Sequence, residues 1–207
     1  MCPKRITSSR QWLREHFSDP YVKQAQKSGY RSRAVYKLQE LHDRDRLFQP
    51  GMTVIDLGAA PGGWAQLLRK LLGKKGRIIA LDLLPIEPLP GVEFILGDFT
   101  ELAIQHKVLE AVDGAQVDWI ISDMAANFSG IASVDQLRSI NLLEAVLEFA
   151  LKILPEGGGI LIKAFQGEGF EDFLKAVKNC FKKVLIRKPK ASRERSPEIY
   201  IVARGRK

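Results

Sequence analysis

From Thr53 to Gly205, short apolar runs alternate with helical patterns, and this alternation constrains the fold more than any other feature of the chain. TVIDLG (53–58), RIIALDL (77–83), VEFILGD (92–98), VDWIISD (117–123), GILIKAF (159–165), KVLIRK (183–188) and EIYIVARG (198–205) read as seven strands. GGWAQLLRKLL (62–72), TELAIQHKVLEAV (100–112), residues 134–154 and GFEDFLKAVKNCF (169–181) carry helical spacing between them. Strands separated by helical crossovers predict an α/β domain with a largely parallel sheet and helices on both faces. The last two strands are separated only by PKASRERSP (189–197), nine residues with no helical pattern. That is too short for a parallel crossover, so if these strands are neighbours the last one runs antiparallel. It then begins at the carboxyl edge of the parallel strands, where open α/β sheets bind ligands. Glu198 should therefore share that edge with Asp123 and Lys163, read as the ends of their strands.

The 207 residues suit a single domain, 1–207, with one core. Residues 1–50 read as basic, helical and packed on the sheet, and 53–207 as the core. In the first segment SSRQWLREHF offers a Ser cap and the apolar Trp12, Leu13 and Phe17. SRAVYKLQELHDRDRLF (32–48) places Val35, Leu38 and Leu41 at helical spacing, with Arg31, Arg33 and Lys37 expected on a basic outer surface. The net charge is +8, but residues 1–37 hold nine Lys/Arg against two acids and residues 182–207 hold ten against two, so the body between is acidic. Two basic segments flanking an acidic body point to a polyanionic partner, and the absence of a basic amphipathic helix ranks nucleic acid above membrane. No secretory apolar segment follows MCPKRITSSR, and the long helix 134–154 contains Glu144, Glu148 and Lys152, so a cytoplasmic protein without membrane spans is expected. Cys2 and Cys180 lack metal or redox spacing and read as free thiols. His16, His42 and His106 read as surface residues, with no metal site.

The strongest local motif is VIDLGAAPGGW (54–64): an acid, Asp56, at a strand end, a Gly-rich turn through Gly58, Pro61, Gly62 and Gly63, and a helix opening at Trp64. Glycines admit a ligand to the backbone and a helix start offers free N–H groups. The spacing is not that of the dinucleotide fingerprint G-x-G-x-x-G, and an acid ahead of the loop suits a cationic or hydrogen-donating ligand better than a pyrophosphate. Asp82 at the end of the second strand could accept ribose hydroxyls, and Asp98 at the end of the third could meet an adenine amine. Three acids at successive strand ends behind a Gly-rich turn make a coherent nucleoside pocket.

DLGAAPGGW, SDMAAN (122–127), IKAFQGEGF (162–170) and SPEIYIVARGRK (196–207) resemble the FtsJ/RrmJ family of ribose 2′-O-methyltransferases, and WLREHFSDPYVKQAQKSGYRSRAVYKLQE resembles its bacterial large-subunit ribosomal RNA branch. The resemblance implies a Rossmann-like S-adenosylmethionine-dependent methyltransferase fold. It implies S-adenosyl-L-methionine as cofactor, with Asp56, Gly58, Pro61, Gly62, Gly63, Trp64, Asp82, Asp98 and Asp123 around it. The substrate it implies is a uridine ribose in the A-loop of 23S rRNA, within the large ribosomal subunit. The family's Lys-Asp-Lys-Glu tetrad falls on Lys37, Asp123, Lys163 and Glu198. One departure is Ala126, where the family pattern leads one to expect Pro; its loss should loosen the loop after Asp123.

A ribose hydroxyl must lose its proton during attack on a sulfonium methyl, and Lys163, at the end of an apolar strand, is the expected base, with burial and the nearby cationic Lys37 as causes that favour the neutral amine. Asp123 is expected to orient Lys163, and Lys37 and Glu198 to position the ribose. SDMAAN lacks the prolines and aromatic of amine-directed methyltransferases. A non-catalytic RNA-binding ribosome-assembly factor is the alternative, and a nicotinamide-dependent oxidoreductase is disfavoured by the glycine spacing. The basic N-terminal helices and RKPKASRERS (187–196) should form the RNA surface, and no long apolar surface demands a second copy, so a monomer is expected.

Overall fold

The computed structural model describes residues 19–207 apart from positions 128 and 194. The Ser-capped segment with Trp12, Leu13 and Phe17, together with His16 and Cys2, lies outside the described residues. The described elements are α1 (Pro20–Lys27), α2 (Val35–Asp45), β1 (Thr53–Leu57), α3 (Gly63–Leu72), β2 (Arg77–Asp82), β3 (Glu93–Leu96), α4 (Leu102–Val112), β4 (Trp119–Ser122), α5 (Ala132–Ile153), β5 (Gly159–Phe165), α6 (Phe170–Cys180), β6 (Phe181–Arg187) and β7 (Glu198–Arg206). Among these residues no helix is long and apolar enough to cross a membrane.

The seven strands form one sheet in the order β3-β2-β1-β4-β5-β7-β6. Pairing from β3 through β5 is parallel. β7 inserts between β5 and β6 and runs antiparallel to both. The antiparallel return is as expected from the short 189–197 connection. Its insertion between β5 and β6 was not visible in the sequence.

Because strand side chains alternate faces, each strand contributes to two cores. One face carries Ile55, Leu57, Ile79, Ile120, Ile160, Ile162 and Ile201 beneath α4, α5 and α6. The other carries Val54, Ile78, Ile121, Leu161, Tyr200 and Val202 beneath α2 and α3. α1 starts at an Asp19 cap whose side chain accepts from Tyr21 N, with Pro20 in the first turn. α2 is tied to the C-terminal strands by long-range polar contacts. Glu40 accepts from the backbone N–H groups of Lys190 (2.6 Å) and Ala191 (3.1 Å), and Asp45 makes a two-point contact with Arg187 at 2.8 Å each.

Several expected strand ends shift. Asp56 is the fourth of five residues in β1, and Lys163 the fifth of seven in β5. Asp123 lies one residue beyond β4 and Asp98 two beyond β3, so both stand in the loops that leave the carboxyl edge. His42 is not a surface residue: it is half-buried, stacks on Phe48 at 5.6 Å, and its Nδ1 accepts from Phe48 N at 3.3 Å.

Candidate active site

The side chains expected to share the carboxyl edge also share a sheet face. Asp56 lies two residues beyond Val54, Lys163 two beyond Leu161, and Glu198 and Tyr200 four and two before Val202, all on the face beneath α2 and α3. In register, Leu161, Lys163 and Phe165 oppose Val202, Tyr200 and Glu198. α2, clamped to the last strands by Glu40 and Asp45, lowers Lys37 onto this row.

The result is a continuous polar array. Lys37 Nζ pairs with Glu198 Oε1 at 2.7 Å, and Ser192 Oγ donates to the same oxygen at 2.7 Å. Lys163 Nζ lies 3.2 Å from Asp123 Oδ1 and also donates to the Asp123 backbone carbonyl. Tyr200 stands between these pairs: its hydroxyl donates to Asp123 Oδ1 at 2.7 Å, and Lys37 Nζ sits 5.8 Å from its ring centroid. Burial, then the charges of Asp123 and Glu198, raise the Tyr200 pKa well above that of an ordinary phenol, so Tyr200 stays a donor. Tyr200 escaped the sequence reading. The signal was available in its spacing: a tyrosine two residues after Glu198 must face the same way.

Two cavities of similar size flank this array. The first, about 680 Å³, is lined by Gly58, Ala60, Asp82, Asp98, Asp123 and Arg138 among others. Asp82 accepts from the backbone N–H groups of Ala60 (2.8 Å) and Leu84 (2.9 Å), which pins the Gly-rich turn to the end of β2. Asp98 accepts from Thr100 N and Oγ1, capping its own loop as well as facing the cavity. Both Asp82 oxygens keep a further lone pair for a ligand hydroxyl or amine, and Asp98, whose Oδ1 takes both Thr100 bonds, keeps its Oδ2. Asp56 lies beneath, wholly buried, and among the described residues neither of its oxygens has a hydrogen-bond partner. Burial, then the charges of Asp123 and Asp82, push its pKa up to about 8.

The second cavity, about 730 Å³, is lined by Arg33, Lys37, Phe165, Gln166, Arg193 and Glu198 among others. A narrow cleft of about 10 Å³ shares Met124, Ala125, Ala126 and Leu142 with the first cavity and Ser139 and Phe165 with the second, and Lys163 is in its wall.

Five expected ligand-contact positions are absent from the wall of the first cavity: Asp56, which lies beneath it, and four in and after the Gly-rich turn. Pro61, Gly62, Gly63 and Trp64 do not line it. A Cβ at Gly62 would meet Arg31 Nη1 at 2.9 Å, and one at Gly63 would meet Ser32 Oγ at 2.5 Å, so these glycines admit the N-terminal segment. The Trp64 indole is buried against Tyr200 and donates to Ala34 O at 2.8 Å. The basic outer surface expected from Arg31, Arg33 and Lys37 is corrected. Arg31 donates to the carbonyls of Pro61, Glu87 and Pro88. Arg33 is held by Asp19 and Ala191 O, and Lys37 by Glu198. These cations turn inward because the segment that carries them crosses the carboxyl edge rather than the outside of the sheet.

A mostly parallel seven-stranded sheet with an inserted antiparallel strand, and an acidic cavity over a Gly-rich turn, define an α/β methyltransferase domain. Residues 30–206 match the family model described as FtsJ-like methyltransferase, and the chain belongs to that family. It is 55% identical over 201 residues to a Pseudomonas fluorescens protein named ribosomal RNA large subunit methyltransferase E, spanning 97% of this chain and 96% of the relative. A Marinobacter nauticus protein of the same name is 51% identical over 201 residues, spanning 97% of each. A crystal structure of a Plasmodium falciparum protein titled as a ribosomal RNA methyltransferase superposes with a TM-score of 0.76 at 28% identity, over 86% of this chain and 98% of that one. Membership of a methyltransferase family implies a methyl donor.

Proposed function

We propose that this protein uses S-adenosyl-L-methionine to methylate the ribose 2′-hydroxyl of a uridine in the A-loop of 23S rRNA, on the large ribosomal subunit. The relatives' names support the ribosomal RNA substrate. The observation that carries the chemistry is the array Lys37–Glu198, Tyr200, Asp123–Lys163, set between two cavities of which one has an acidic wall.

The first cavity fits the donor. Its carboxylates suit a ligand that is cationic and rich in hydroxyl and amine donors, and the orphaned Asp56 beneath adds a latent negative charge. Asp82 would hold the ribose hydroxyls, Asp98 the adenine amine, and Asp123, with Asp56 behind it, the cationic end. When bound, S-adenosyl-L-methionine supplies a methyl group on a positively charged sulfur.

The remaining work belongs to the chain. Lys163 is assigned the proton of the attacking hydroxyl, since a general base must stand within hydrogen-bond reach of the group it serves and this amine lies between the two cavities. Asp123 holds Lys163 Nζ at two points, by its carboxylate and its backbone carbonyl, and is itself held by Tyr200, which fixes the direction of the amine. Lys37 and Glu198, in the wall of the second cavity, orient the acceptor ribose. The cleft that holds Lys163 has about the room of one water molecule. The same reading makes the protein a cytoplasmic monomer.

The test maps 2′-O-methyl groups on ribosomal RNA from cells with and without the protein, together with transfer by the purified protein and its Lys163→Ala variant. Loss of one ribose methyl from the large-subunit RNA is expected, with Lys163→Ala inactive yet still binding donor and RNA. An unchanged methylation map, or near-normal turnover by Lys163→Ala, would refute the assignment.

A further inference from the structure

We infer that the face built from α1, α3 and the 73–76 turn is a second RNA-binding surface, remote from the reacting groups, that grips the phosphate backbone of an RNA helix flanking the target. It ends in a basic concavity at the amino edge of the sheet. The inference rests on the RNA-methylating function proposed above.

Two stretches of the chain are basic without any acid. Residues 20–39 hold five Lys/Arg and no Asp or Glu, and residues 57–81 hold another five and again none. Folding lays the two stretches side by side. Gln66 on α3 accepts from Arg31 N at 2.8 Å and donates to Gly29 O at 3.0 Å. Trp64 donates to Ala34 O, and Lys70 Nζ donates to the Tyr30 hydroxyl at 3.0 Å. Of the ten cations, Arg33 and Lys37 are drawn to acids at the carboxyl edge. The other eight have no carboxylate within ion-pair distance among the described residues. Lys23, Lys27, Lys70, Lys74 and Lys75 are exposed. A face of one sign attracts a polyanion.

At the far end of this face Arg69, Lys74, Arg77 and Glu93 line a concavity of about 350 Å³. Arg69 donates to Gly73 O, to Gly76 O at 3.0 Å and to Gly91 O at 2.8 Å. Arg77 donates to Ala111 O at 2.7 Å and Val112 O at 2.8 Å. Carbonyls fix both guanidinium groups in place without cancelling their charge, and each keeps N–H groups for an anion. Against three cations the wall sets one acid, Glu93.

The form of the face selects the partner. Its lysines stand outside two helices, where they can meet phosphates but enclose no base. An RNA helix offers such phosphates in a rigid row and is recognised by shape. β2 is six residues long, which puts the concavity about 20 Å from the Gly-rich turn. A few target nucleotides held at the carboxyl edge do not span α3 to reach it; a flanking stem does.

The test compares wild type with the double variant Lys74→Gln, Lys75→Gln, with the double variant Lys74→Arg, Lys75→Arg, and with Lys107→Gln on the opposite face of the sheet. Fluorescence anisotropy without donor follows two RNAs against salt: a hairpin that carries the target loop on its stem, and the loop alone. Methyl transfer to large-subunit RNA gives KM and kcat. Loss of one to two phosphate contacts makes the slope of log affinity against log salt shallower by about 1–2 for the hairpin. The same loss raises KM about tenfold at 0.1 M salt. Loop affinity, donor affinity and kcat at saturating RNA stay within about twofold of wild type. The arginine pair keeps the wild-type slope, and Lys107→Gln matches wild type throughout. An unchanged hairpin slope and KM overturn the inference, as does an equal loss for hairpin and loop. Loss of binding to phosphatidylglycerol vesicles with hairpin binding intact also overturns it, in favour of a lipid surface. Should wild type transfer no methyl group to RNA while the glutamine pair still weakens hairpin binding, the proposed function fails and the surface stands.

Discussion

Gly58→Ala separates two reasons for the Gly-rich turn. Gly58 lines the donor cavity, so a side chain there would crowd a ligand. The structure supplies a second reason. Gly58 has φ +82°, and a Cβ built on it would lie 2.7 Å from Met124 Cγ and 2.9 Å from Met124 backbone N. The neighbours cannot easily give way. Gly58 N donates to Leu81 O at 2.9 Å and Asp123 N donates to Leu57 O at 3.1 Å, so the turn is clamped between β2 and the loop after β4. The left-handed conformation costs an alanine about 1–2 kcal/mol and overpacking against backbone a further 1–3 kcal/mol. Together these are about 2–5 kcal/mol, or a Tm lower by about 4–20 °C for a chain of this size. Differential scanning calorimetry without donor measures this directly. A free-protein Tm within about 1 °C of wild type, combined with weakened donor binding, would refute the packing explanation and leave only the ligand-approach one.

Other perturbations address the array and its surroundings. Asp56→Asn should stabilise the protein increasingly from about pH 4 to pH 8. Over that range the unfolded Asp56 ionises while the folded one, at about 8, keeps its proton, so wild type alone loses stability as pH rises, by at most about 5 kcal/mol. An equal Tm difference at pH 5 and pH 8 would contradict this. Tyr200→Phe removes the 2.7 Å hydrogen bond to Asp123 and should cost about 1.5–3 kcal/mol in urea unfolding while lowering kcat more than donor affinity; wild-type kcat would deny Tyr200 a positioning role. Arg31→Ala deletes the contacts to Pro61, Glu87 and Pro88 and should weaken donor binding several-fold by loosening both loops, measured by isothermal titration. Lys37→Met leaves Glu198 without its partner cation and should reduce transfer while sparing donor affinity, which equilibrium dialysis checks.

The alternation of strands and helices was local information, and it was enough to read the α/β class, the short antiparallel return of β7 and the acids near the carboxyl edge. Period-two spacing also holds Glu198 and Tyr200 to one face, a signal that the sequence reading left unused. It stopped at whatever depends on which strand lies beside which. That β7 enters between β5 and β6, bringing Tyr200 opposite Lys163, is decided by packing across the whole sheet, to which local pattern is blind. The delivery of Lys37 to Glu198 depends on Glu40 and Asp45 gripping a loop and strands far along the chain. The inward turn of Arg31 and Arg33 likewise follows from carbonyls and a carboxylate that only folding brings near, so charge counted along the chain misplaced them on an outer surface. The sequence by itself determined which residues can face the same way along each element. The tertiary structure alone decided which of those faces meet, because long-range pairing is settled by the total of burial and satisfied polar groups, and no single segment contains that total.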